Sequence, residues 1–236
     1  MATTTLTPRA RAMRSTVLMK AVMAVSGLIM VGYLLVHMYG NLMVFGGAAA
    51  FNDYAAHLRT IGEPMIPYGG VLWVVRIVLL VSVVAHIASA VVLTRRSHHA
   101  TRGGKRYQSK RARALGVQRT FASFTVRWGG VTILLYVIFH LLHLTWKVIN
   151  PGGAGDPYGR VVNSFQHWWM VLIYLVALVM VALHLRHGVW SGLTTLGLNT
   201  SATARRNLNV IAIAVAGVIL IGFLLPPFAI LLGLVK

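Results

Sequence analysis

The chain has 236 residues, 57% of them hydrophobic, and its net charge of +19 comes from 22 Lys and Arg against three acids, Asp53, Glu63 and Asp156. Soluble domains carry about 25% charged residues; this chain has 11%, and its charges lie between long apolar runs instead of on one face of a globule, which argues against nucleic-acid binding. The absence of cysteine removes disulfides, zinc–thiolate sites and protein-ligated iron–sulfur clusters.

A helix that crosses a bilayer needs about 20 mostly apolar residues. Five runs qualify, roughly 20–45, 70–94, 128–149, 168–190 and 208–234, each bounded by charges, Gly, Pro or Asn. The short alternating segments of a membrane β-barrel are missing. The predicted fold is all-α: a single membrane domain over 1–236, an integral bundle of five transmembrane helices. The first run is too long for a signal-peptide core and is followed by no small-residue cleavage site, so it reads as a retained helix. It holds "LLVHMYGNLMVF", with His37 in its middle. The second holds His86 in "SVVAHIASAVV", the third His140 and His143 in "YVIFHLLHLTW", and the fourth His184 and His187 in "VALHLRHGVW". A polar ring in hydrocarbon is unfavourable unless something binds it.

The segments between the runs set the orientation, because Lys and Arg concentrate on the cytoplasmic side. Arg9, Arg11 and Arg14 precede the first run and Lys20 opens it; ten Lys and Arg lie in 95–127; Arg186, Arg205 and Arg206 lie in 186–207. The other side has Arg59, Lys147, Arg160 and Lys236 with all three acids. The N-terminus is therefore expected in the cytoplasm and the C-terminus outside. The basic 95–127 segment reads equally well as a dock for a soluble partner or anionic lipid heads and as a device that enforces topology.

Depth sorts the histidines. At about 1.5 Å per residue, His37 lies roughly 25 Å and His140 about 20 Å from the cytoplasmic starts of their runs, while His86 and His184 lie about 24 Å or slightly more from outer starts. The predicted pairs are His37 with His140 towards the outside and His86 with His184 towards the cytoplasm. Two facing histidines in a helical bundle suit a six-coordinate haem. Interhelical hydrogen bonding is the plainer reading of any one such histidine; four on four helices at two matched depths favour haem. Eleven residues before His37 and His140 stand Ser26, followed by Gly27, and Gly129, followed by Gly130. They share a face with those histidines about 16 Å away, near the inner pair, where small side chains would make room for a macrocycle. Ordinary small-residue helix packing predicts them too. His143 and His187, one turn past a proposed ligand, are candidate contacts to haem propionates or quinone, or simply interfacial. Arg76 reads as a buried cation facing an outer-haem propionate, or as snorkelling outward.

With these residues in view, "GYLLVHMYGNL", "VAHIASAVVL", "RWGGVTILLYVIFHLLH" and "LHLRHGVWSGL" resemble, in order and spacing, the diheme cytochrome b membrane anchor of succinate dehydrogenase (succinate:menaquinone oxidoreductase) and related fumarate reductases. The resemblance spans all five runs. It implies two b haems, the distal one on His37 and His140 and the proximal one on His86 and His184. It also implies a flavoprotein subunit and an iron–sulfur subunit docked on the cytoplasmic side of the inner (plasma) membrane, and menaquinone as the electron acceptor. Some diheme fumarate reductases of this group carry a glutamate two residues before the fourth-run ligand; here that position is Ala182. The chain has no dinucleotide fingerprint and no cysteine, so it is neither soluble subunit.

Reducing a quinone takes protons as well as electrons. Glu63, the only glutamate, lies in "RTIGEPMIPYGG" just before the second run, on the outer side with the His37–His140 pair. It is the predicted proton-handling group of an outer quinone site, with His143 as hydrogen-bond partner, if partly buried. The alternative for Glu63 is a solvated loop acid beside Arg59, and the rival quinone location is the inner side near Arg127, Arg186 and His187. Two other functions compete: a structural quinone-binding anchor without functional haem, and the cytochrome b of another complex, such as a formate dehydrogenase or hydrogenase.

Overall fold

The computed structural model of the chain describes residues 15–101, 116–153 and 155–236. All regular structure in them is helical: α1 (Thr16–Leu42), α2 (Gly47–Thr60), α3 (Gly70–Thr101), α4 (Gly116–His140), α5 (Pro157–Phe165), α6 (Trp168–Thr195) and α7 (Ala202–Leu231). A 3-10 turn, Met43–Gly46, joins α1 to α2, and a π-turn, Leu141–Thr145, follows α4. The helices start where hydroxyl or carboxylate caps satisfy their first amides. Ser15 accepts from the Leu18 N–H at 3.0 Å, Ser201 from the Ala204 N–H at 3.0 Å, and Asp156 from the Gly159 N–H at 2.6 Å, with Pro157 opening α5.

Five of these helices, α1, α3, α4, α6 and α7, contain stretches long and apolar enough to cross a membrane. Their outward faces are apolar: Val36, Leu80, Val81, Leu135, Val176 and Ile221 are all exposed. That much exposed hydrocarbon would drive association in water, and in a bilayer it is the lipid-facing surface. α6 is the central helix, packed against α1, α4 and α7, and it buries Met170, Tyr174, Ala177, Val181 and Leu185 along one stripe.

Small residues bring the helices together. The Met38 thioether of α1 fills the space a side chain at Gly222 of α7 would take. A leucine there overpacks the contact, which costs about 1–3 kcal/mol in a close-packed interior. Gly222→Leu is therefore expected to lower the thermal midpoint of the detergent-purified protein, and Met38→Ala in the same chain to recover part of the loss. A double variant no more stable than Gly222→Leu alone would show that the clash lies elsewhere.

The structure departs from the sequence expectation at the edges of the bundle. The 46–69 and 150–166 segments, read as connecting loops, contain α2 and α5. At 14 and 9 residues both are too short to cross a bilayer alone, and they pack against each other at the edge of the bundle. α5 turns Val162, Ser164 and Phe165 inward, where Val162 and Phe165 pack with Val44, Met170, Tyr174 and Ile230. Asn52 of α2 donates to Asp156 at 2.8 Å and accepts from the Tyr158 N–H at 3.1 Å, and the Tyr158 hydroxyl donates to the Lys236 carbonyl at 2.8 Å. α2, α5 and the C-terminus thus close one end. At the other, Arg96 near the end of α3 donates to the Thr16 hydroxyl at 3.2 Å. The third run, expected over 128–149, is helical from Gly116 and leaves α-helical geometry after His140. The basic residues Arg9, Arg11 and Arg14, and those from Arg102 to Arg113, lie outside the described residues.

Candidate cofactor site

Four helices bring four histidines together in twos. His37 of α1 meets His140 of α4 with ring centroids 5.9 Å apart and planes at 83°. His86 of α3 meets His184 of α6 at 6.3 Å and 61°. Two imidazole nitrogens about 2 Å from one iron, each with its ring centre roughly 1 Å further back, put the centroids about 6 Å apart. Both pairs have that spacing. Among the described residues no three His, Asp or Glu side chains converge on one point. Each pair could offer two imidazole nitrogens, a set that would suit a group bringing further donors of its own, such as haem.

The tautomers and the space around the rings fit the same group. The Nδ1 of His86 lies 3.0 Å from the Met23 carbonyl oxygen. A carbonyl only accepts, so Nδ1 carries the proton and Nε2 keeps its lone pair for a metal. The Nδ1 of His184 is buried without a hydrogen-bond partner, so no contact within the protein fixes the tautomer of that ring. A Cβ added to Gly27 would sit 3.3 Å from Cε1 of His86, and one on Gly130 would sit 3.8 Å from Cε1 of His184. Gly129 faces Met180 instead. Ser26 is buried, donates its hydroxyl back to the Val22 carbonyl at 2.6 Å, and lies 3.4 Å from Nδ1 of His86. Val31 and Leu34 of α1 and Ile133 of α4, which lie between these small residues and the other pair, pack on Val181, Leu185 and Ile219. The two sites are thus joined by an apolar layer.

Around the other pair the lining is aromatic. His37 stacks on Tyr33 at 5.3 Å and meets Phe223 of α7 at 5.6 Å. Asn41 donates to the His37 carbonyl at 2.8 Å and braces that turn of α1. His140 packs beside Tyr136 at 5.8 Å and Tyr174 at 6.0 Å.

Several polar residues take other places than those read from sequence. His143 is fully buried, and its ring nitrogens lie 2.8 Å from the Tyr174 hydroxyl and 2.9 Å from the Ser164 hydroxyl. Both are thereby occupied within the protein, away from a propionate or quinone. The π-turn rotates less per residue than an α-helix, and it sets His143 against the Tyr174 hydroxyl that His140 also meets. Arg76, read as buried, is exposed, with its guanidinium 5.1 Å from the Trp73 ring centre; a cation on an aromatic face at the edge of a bundle needs no buried anion. Glu63, expected to be partly buried, is exposed in the turn before α3. Exposure in the isolated chain matches the alternative reading of Glu63 as a loop acid. His187 is half-buried on α6, one turn beyond His184, and Arg186 beside it is exposed.

A family model described as succinate dehydrogenase/fumarate reductase transmembrane subunit matches residues 105–224, just over half of the chain. The chain belongs to this family. No curated protein and no solved structure matches it. The match runs through α4, α6 and most of α7. It therefore contains His140 and His184, one histidine of each pair, while His37 and His86 join them only through the packing of α1 and α3. As a succinate dehydrogenase/fumarate reductase transmembrane subunit, the chain is a multi-pass membrane component of an oxidoreductase complex whose succinate or fumarate site lies on other subunits.

Sequence reasoning passed over Tyr174 and Ser164. Tyr174 stands in "VLIYLVALV", a lone hydroxyl inside an apolar run. The rule that singled out the histidines, that a polar group in hydrocarbon needs a partner, applies equally to it.

Proposed function

We propose that this transmembrane subunit is a diheme cytochrome b that carries electrons between the iron–sulfur subunit of its complex and menaquinone. The observation that carries the reading is the double pairing, His37 with His140 and His86 with His184, each at axial-ligand spacing. Haem bound there would supply one-electron chemistry. The chain's own part is to hold four imidazoles by Nε2, exclude water with α6 and its neighbours, and keep the two sites apart by one apolar layer. The flavoprotein and iron–sulfur subunits dock on the cytoplasmic face, next to the His86–His184 pair. The same conduit serves succinate oxidation and fumarate reduction.

The test is haem quantitation on the purified complex with its subunits identified. Two b haems per anchor chain are expected in a pyridine haemochrome assay and in a dithionite-reduced-minus-oxidised spectrum, with succinate also reducing haem in the intact complex. One haem per chain would overturn the double pairing, and none would leave the alternative, a structural anchor that meets quinone without haem.

A further inference from the structure

His140 differs from the other three paired histidines in what stands behind it. Its Nδ1 lies 3.2 Å from the hydroxyl of Tyr174, and the same hydroxyl lies 2.8 Å from Nδ1 of His143. The far nitrogen of His143, Nε2, lies 2.9 Å from the Ser164 hydroxyl. Tyr174, His143 and Ser164 are 5%, 2% and 0% exposed, so water does not substitute for any of these bonds. The three residues come from three elements: the second turn of α6, the π-turn after α4, and the short helix α5. Phe165, 4.8 Å from the Tyr174 ring and perpendicular to it, closes the group.

The proton order in this chain has one solution once His140 binds a metal. A phenol has a single O–H, so it donates to one of the two Nδ1 atoms and accepts from the other. If Nε2 of His140 keeps its lone pair for iron, its Nδ1 bears the proton and donates to the Tyr174 oxygen. The Tyr174 hydroxyl then donates to Nδ1 of His143. His143 accordingly bears its proton on Nε2, which donates to Ser164. Every donor has an acceptor and no group is charged.

We infer that Tyr174, His143 and Ser164 are positioning residues of the His140 haem, a fixed hydrogen-bonded relay that holds His140 in the tautomer that binds iron through Nε2 and strengthens it as a donor. The inference rests on the diheme reading above. An outer partner that accepts from a ligand imidazole raises the basicity of that ligand, which favours ferric over ferrous iron. The relay therefore lowers the potential of the His37–His140 haem. The other pair has a different arrangement: a backbone carbonyl behind His86, and an Nδ1 without a partner on His184.

The experiment is a redox titration, with low-temperature EPR, of both haems in the purified complex, the His37–His140 haem being the one lost in His37→Ala. Tyr174→Phe keeps the ring and deletes the relay. It is expected to raise the ferrous-to-ferric ratio of that haem at fixed potential about tenfold, a midpoint shift of ~59 mV for a one-electron couple, and to alter its EPR signal alone. His143→Leu should act in the same direction. His143→Asn, whose Oδ1 replaces Nδ1 as the acceptor for Tyr174, should return the midpoint to near the wild-type value, which a packing role would not predict. If Tyr174→Phe does not assemble, the two His143 variants decide between the outcomes. Two haems with unmoved midpoints, equal shifts in both haems, or a His143→Asn shift as large as that of His143→Leu would each overturn the relay and leave the diheme reading standing. A wild-type complex with fewer than two haems would overturn both.

Discussion

His37→Ala and His140→Ala are each expected to remove one haem per chain and leave the other, and His86→Ala and His184→Ala to remove the complementary one. The rings of each pair are within 6.3 Å and come from different helices. His143 and His187 each stand three residues beyond a paired histidine; both nitrogens of His143 are engaged by Tyr174 and Ser164, and His187 lies one turn further along α6 than His184. Residues that act as a unit are non-additive. The double variant within a pair should therefore lose no more haem than either single variant, while a double variant across the pairs should lose both haems. A pyridine haemochrome assay gives the stoichiometry, and a redox titration shows which component has gone. If His37→Ala and His86→Ala abolished the same component, the pairing described here would be wrong.

Gly27→Val is expected to abolish the His86–His184 haem selectively. A Cβ at position 27 would already stand 3.3 Å from Cε1 and 3.4 Å from Nδ1 of His86, closer than ordinary van der Waals contact. The two further methyl groups of valine extend into the ring's position or the space beside it. His86 has little room to retreat, because its Nδ1–H is bonded to the Met23 carbonyl of the same helix that carries Gly27. Moving the ring exchanges a clash for an unpaired buried donor, a loss of about 1–3 kcal/mol. Gly32 provides the control. It lies on α1 beyond Gly27, and a Cβ there would meet nothing within 4 Å, so Gly32→Ala should keep both haems. Haem content resolved by redox titration separates these outcomes. Retention of both components in Gly27→Val would show that α1 does not bound that site.

Much of this arrangement is legible before folding because a bilayer imposes a common axis. Helices that must span the same thickness, at a fixed rise per residue, place their residues at calculable depths. The four runs with histidines, the meeting of His37 with His140 and of His86 with His184, and the approach of Gly27 and Gly130 to the second pair all follow from counting along that axis. The family resemblance adds what such counting does not contain, the partner subunits and a quinone acceptor.

What counting along the axis does not contain is rotation about each helix and the identity of its neighbours, and only the packed bundle decides those. His143 sits three residues after His140 in the π-turn, and what it meets there, the Tyr174 hydroxyl shared with His140 and the Ser164 hydroxyl on its far side, is set by α6 and α5. Arg76 and Glu63 carry charges at depths that suggested burial, yet both face outward, because α3 presents that side to the surroundings and the turn before it stands clear of the bundle. Ser164 belongs to a segment too polar and too short to be noticed, and it becomes buried only when α5 folds its apolar side over the end of the bundle. Hydropathy and helical rise are local properties of the chain, so the sequence alone determined the spans and their depths. The Tyr174–His143–Ser164 relay depends on three elements distant in sequence meeting at one point, and only the tertiary structure brings them there.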